Sequence, residues 1–136
     1  MWADMTTSVT EKNHAAKKSK RVLYVDDMRE LREVARLALS RVGHKVDSAP
    51  DGVDAFEMIS AGPGVYDIVI SDHHMTGMNG LELVMKLREI QFPGTIAIVS
   101  SELNSDVEDE YRKLGIEKIL NKPVELAHLR ALVAEA

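Results

Sequence analysis

The chain has 136 residues, with 17 Lys and Arg against 22 Asp and Glu and a formal net charge of −5. A phosphate-neutralising surface needs a basic excess, so this balance argues against non-specific nucleic-acid binding. Without Cys there is neither a disulfide framework nor a thiolate metal site, and with no apolar run near the ~20 residues of a membrane span and no signal-peptide core the chain reads as one soluble, cytoplasmic domain.

Residues 1–20 are polar and follow neither the helical nor the strand period, so a flexible arm is expected there, ahead of a domain over 21–136. Lys17, Lys18, Lys20 and Arg21 read as a solvated edge, with docking of an acidic partner as the alternative. Val22-Leu23-Tyr24-Val25 is a continuous apolar run that stops at Asp26-Asp27, as a strand covered on both faces would. Leu31, Val34, Ala35, Ala38 and Val42 then recur at helical spacing, with Asp27 and Glu30 as a capping pair and Gly43 as the stop. Lys45 to Ala49 is a less apolar strand suited to a sheet edge, and Asp51 to Ala61 a helix closed by Gly62-Pro63-Gly64.

Asp67 to Ser71 forms the third strand and ends against Asp72. Asn79 caps the next helix, buried through Leu81, Val84, Met85 and Leu87 or nearby positions. Thr95 to Val99 is a fourth strand ending on Ser100-Ser101. It is followed by a helix with a Ser105/Glu108 capping box and a stop at Gly115. Ile116 to Asn121 is the fifth strand, ending at Lys122-Pro123, and Leu126, Leu129 and Val133 stripe the last helix.

Five βα units with apolar strands predict an α/β fold, a doubly wound parallel sheet with helices on both faces. In the flavodoxin-like order 2-1-3-4-5 the switch point lies between strands one and three, which gathers Asp26, Asp27 and Asp72 at one sheet end with Ser100 and Lys122 beside them. Three carboxylates so close repel one another unless a cation sits among them. Magnesium suits oxygen-only ligands, and a Lys and a hydroxyl opposite it provide a cradle for a phosphoryl group.

These residues resemble the receiver domains of two-component response regulators, most closely the stand-alone chemotaxis type, over about residues 20–136. The marks are Asp26-Asp27, Asp72, Met75 with Met78-Asn79-Gly80, Ser100 and Lys122-Pro123, each after its strand and in this order. The resemblance implies that Asp72 accepts a phosphoryl group from a phosphohistidine of a sensor histidine kinase or histidine phosphotransfer protein. It implies Mg²⁺ held by Asp27, Asp72 and the His74 backbone carbonyl, with Asp26 acting largely through water. Lys122 would contact the phosphoryl oxygens, across a cis peptide to Pro123. Ser100 would turn to the aspartyl phosphate, Ser101 and Glu102 would modulate the site, and Ser100 and Ile119 would form the switch. The output face would be helix four, strand five and helix five, with residues 104–114 moving. The partner there would be a protein, with no DNA or membrane involved, and the receiver itself a monomer or a phosphorylation-dependent dimer.

Two departures stand out. Thr76 replaces the Pro usual after the loop Met, and Ile119 replaces the Tyr or Phe usual three before the Lys, so an aromatic rotamer switch is not available there. His73 and His74, adjacent on a loop, are expected to be solvated imidazoles and not a metal pair, and Met75, Met78 and Met85 to serve packing. A haloacid dehalogenase-type phosphatase would need a second Asp at position 74, which is His. A degenerate receiver that only docks partners is the other alternative, and a DNA-binding regulator would need a domain beyond the last helix.

Overall fold

The computed structural model describes residues 19–136. The arm expected over 1–20 falls almost wholly outside them, as do Lys17 and Lys18. Strands β1 (Arg21–Val25), β2 (Lys45–Ala49), β3 (Ile68–Asp72), β4 (Thr95–Ser100) and β5 (Lys118–Asn121) alternate with helices α1 (Arg29–Ser40), α2 (Gly52–Ala61), α3 (Gly80–Glu89), α4 (Ser105–Lys113) and α5 (Leu126–Ala134). The strands pair in the order β2-β1-β3-β4-β5, every pair parallel, as the strand pattern predicts.

Successive strand side chains point to opposite faces, and here both faces are buried. Val22, Tyr24, Ile68, Ile70, Ala97 and Val99 lie against α1 and α5 through Ala35, Leu39, Leu129, Leu132 and Val133. Leu23, Val25, Val69, Ile96 and Ile98 face the other layer, where Ala55, Ile59, Leu83, Val84, Leu87 and Tyr111 come from α2, α3 and α4. The register aligns Val25 with Ser71, Asp72 with Val99 and Ser100 with Asn121, so the carboxyl ends of the four strands β1, β3, β4 and β5 form one rim.

The helices depart from the expected stripes by a rotation. In α1 the buried residues are Ala35, Ala38 and Leu39, while Val34 is 48% exposed and Val42 lies beyond the helix end. In α3 Leu83 takes the inward place, with Met85 50% exposed, and in α5 Leu132 is buried where Leu126 is not. The N-cap of α1 is Met28, not Asp27, and that of α4 is Asn104, whose Oδ1 accepts from Val107 N at 3.0 Å, not Ser105. The expected Asn79 cap of α3 is present as a full capping box with Glu82. Gly43, at φ +95°, ends the segment after α1 in the left-handed region that favours glycine.

Candidate functional site

Strands β1 and β3 are neighbours, yet the helices that follow them leave to opposite faces of the sheet. A crevice opens at their carboxyl ends. Asp26 follows β1 and is 1% exposed, Asp72 is the last residue of β3 and 6% exposed, and Asp27 stands exposed at the rim. One carboxylate oxygen from each lies within 4.8 Å of the others.

Lys122, from the loop after β5, closes this group. Its Nζ donates to Asp26 Oδ2 at 2.7 Å and lies 3.3 Å from Asp72 Oδ2. The backbone N–H of Lys122 donates to the Ser100 carbonyl at 3.0 Å, and the peptide to Pro123 is cis, as expected. Burial works against the ammonium. The hydrogen bond to Asp26 and the charges of Asp26 and Asp72 outweigh it, and its pKa is raised. Asp72 is itself raised: burial is the largest cause and Asp26 adds to it, while the shared ammonium offsets only part. Burial and then the charges of Asp26 and Asp72 also push up the phenol of Tyr24 beneath them.

Both oxygens of Asp26 are engaged, Oδ2 by Lys122 and Oδ1 by the N–H of Met28 at 2.9 Å. Its side chain therefore fixes the turn into α1 in place of the expected Asp27 cap, which leaves Asp27 facing the crevice mouth. Asp72 Oδ1 accepts a long bond from His74 N at 3.4 Å. An all-oxygen donor set, two members buried, fits a hard divalent cation and suits neither zinc nor copper.

The remaining predicted residues lie around this centre. Ser100 is buried, and its Oγ accepts from Glu102 N at 3.2 Å. Ser101 is exposed and shares with Lys122 the wall of an apolar groove of about 340 Å³ between α1 and α5. Glu102 pairs with the exposed His74 imidazole at 3.7 Å, a contact of little energetic weight at the surface. Ile119 is half-buried in β5 opposite Ile98.

His73 departs from expectation. It is half-buried, not solvated, and its Nδ1 lies 2.6 Å from the hydroxyl of Tyr111 on α4. Burial lowers its pKa, while burial and then the charge of Asp72 raise that of Tyr111, so both groups are favoured in their neutral forms and share one hydrogen bond whose direction follows the imidazole tautomer. The sequence reading missed Tyr111; its only signal was an aromatic in an otherwise polar helix. Met75 and the partly buried Met78 pack as expected, whereas Met85 points outward. Among the isolated histidines, His44 is buried, its Nδ1 accepting from Lys20 N at 3.0 Å; His128 is exposed, and His14 lies outside the described residues.

A doubly wound (βα)₅ sheet carries here an acidic pocket and a facing lysine at its switch point, where such sheets bind their ligands. The profile of the response regulator receiver domain matches residues 22–134, and the chain belongs to this family of two-component signalling domains. It is 33% identical over 116 residues to the aerobic respiration control sensor protein ArcB of Escherichia coli K12, covering 82% of this chain but 14% of that protein. Two-component response regulator 24 of Arabidopsis thaliana is 29% identical over 111 residues, 82% of this chain and 79% of its own length. The solved chemotaxis protein CheY4 of Vibrio cholerae superposes with a TM-score of 0.79 at 26% identity, covering 87% of this chain and 98% of its own. Receiver domains interact with histidine kinases or phosphotransfer proteins and generally use Mg²⁺ at such an acidic pocket. No helix among the described residues is long and apolar enough to cross a membrane.

Proposed function

We propose that residues 21–136 act as a response regulator receiver in the cytoplasm, in which Asp72 accepts a phosphoryl group from the phosphohistidine of a sensor kinase or phosphotransfer protein. The observation that carries this reading is the Lys122 ammonium set between Asp26 and Asp72, 96 residues apart from the former in sequence, with Asp27 opposite at the open side. Such a charge arrangement neutralises an anion arriving at Asp72 without covering it.

In the transfer, a carboxylate oxygen of Asp72 forms the new P–O bond as the P–N bond breaks and the donor imidazole leaves with the electron pair. Lys122, now divided between two carboxylates, reaches the phosphoryl oxygens. Asp27, Asp72 and the His74 carbonyl would hold Mg²⁺, which supplies positive charge to the phosphoryl oxygens when bound. Asp26, with both oxygens occupied, contributes through water. Ser100 must give up its bond from Glu102 N to turn toward the phosphate, so Ser101 and Glu102 modulate how readily it does so. The change passes to a protein partner on the α4, β5 and α5 face, with the receiver a monomer or a phosphorylation-dependent dimer. Ile119, branched and aliphatic, fills space near Ser100 but has no ring to swing.

Incubation with a small-molecule phosphodonor and Mg²⁺ should add one phosphoryl mass that hydroxylamine removes. Asp72→Asn should abolish this label. Undiminished labelling of the variant would overturn the assignment.

A further inference from the structure

Helix α4 is weakly moored. Tyr111 is its only fully buried side chain, with Val107 partly buried beside it, and the rest of SDVEDEYRK is polar. The ring of that anchor packs in the hydrophobic core, but its hydroxyl ends on a polar partner. Its hydroxyl sits 2.6 Å from His73 Nδ1, on the residue next to Asp72, with the two rings edge to face at a centroid distance of 5.5 Å.

The space around the hydroxyl is made by three elements. A Cβ on Gly80, at the start of α3, would come within 2.6 Å of the Tyr111 oxygen, 2.7 Å of the Asp72 carbonyl and 2.9 Å of His73 Cα. The backbone carrying the imidazole is itself fixed on both sides: His73 N donates to the Val99 carbonyl at 3.3 Å, and the His73 carbonyl accepts from Gly80 N at 2.8 Å. The segment that follows Asp72 therefore cannot shift without moving the imidazole. The imidazole in turn cannot leave the phenol without stranding a buried hydroxyl, a costly loss.

We propose that Tyr111 is a positioning residue for this site: through His73 it fixes the backbone after Asp72, and through the same bond α4 senses whether the site is occupied. The inference rests on the phosphoacceptor reading above. It gives this chain an aromatic link between site and output face that starts from α4, where Ile119 on β5 offers none.

The test uses the full chain with Mg²⁺ and beryllofluoride as the phosphoryl mimic, read by amide exchange, with Mg²⁺ affinity and melting temperature measured alongside. In the wild type, exchange should change both in the loops around Asp27 and Asp72 and over residues 105–113. Tyr111→Phe keeps the ring and removes the hydroxyl. It should retain the response of the loops, lose that of 105–113, and weaken Mg²⁺ binding about three- to tenfold, the scale of one hydrogen bond. His73→Ala removes the same bond from the other side and reads the same effect should Tyr111→Phe fail to fold; the double variant should lose no more than either single one. A wild-type 105–113 response that survives both substitutions, or strictly additive losses in Mg²⁺ affinity, would overturn the coupling. No response anywhere in the wild type would instead overturn the phosphoacceptor reading itself, and a loop response without one at 105–113 would overturn the coupling alone.

Discussion

Asp27 and Asn121 both stand exposed on the rim, but only Asp27 contributes a carboxylate to the cluster. Asp27→Ala should therefore weaken Mg²⁺ binding by an order of magnitude or more, whereas Asn121→Ala should leave it nearly unchanged; equal affinities in a metal titration would refute the coordination. Far from the site, His44 gives a pH signature of its own. Burial, then the nearby Lys20 charge, lowers its pKa, and its Nδ1 must stay unprotonated to accept from Lys20 N. The unfolded chain thus takes up this proton first as pH falls below about 6.5. The contribution of His44 to stability is complete above that value and is lost below it. Urea titrations at pH 7.5 and 5.5 should show a smaller difference for His44→Gln, which keeps an acceptor but does not titrate, than for the wild type.

At the level of elements, the junction of β3, α3 and α4 is closely packed around Gly80. Gly80→Ala brings a methyl group against two backbone atoms that cannot give way, so it should destabilise by about 1–3 kcal/mol in spite of alanine's better helix propensity, measured by urea unfolding. The strands were legible in the sequence because a parallel strand buried on both faces is an unbroken apolar run, as Val22 to Val25 and Ile68 to Ile70 are. Helix stripes were less so: Val34, Met85 and Leu126 satisfy the helical period as well as Leu39, Leu83 and Leu132 do. The surrounding elements decide which row turns inward, and α1 and α5 leave an open groove that Val34 and Leu126 both line. Caps shifted by a residue because Asn104 and Ser105 are both good caps, and it is Asn104 Oδ1 that accepts from Val107 N.

For the molecule as a whole, the site was legible because its members all stand at strand ends, so the sheet order alone brings Asp26, Asp72 and Lys122 together. The Tyr111–His73 pair was not, because it joins a helix side chain to a loop 38 residues away, and no period or turn signal specifies which helix face meets which loop atom. The sheet order has a kinetic consequence. Every strand pairing is parallel and hence non-local, a topology that folds slowly. The Lys122–Asp26 contact spans 96 residues, more than any sheet pairing in its register. A partly assembled chain without β5 in place has the carboxylates but not their ammonium. If Asp72 is the phosphoacceptor and Lys122 its partner, as proposed, labelling is withheld until β5 has docked. After dilution from urea, the fraction of molecules that accept label should rise no earlier than the slowest far-UV circular dichroism phase, and labelling ahead of that phase would show that Lys122 is dispensable. On the phosphoacceptor reading proposed above, a nascent or damaged chain without β5 in place is in this way kept from drawing phosphoryl groups from a donor.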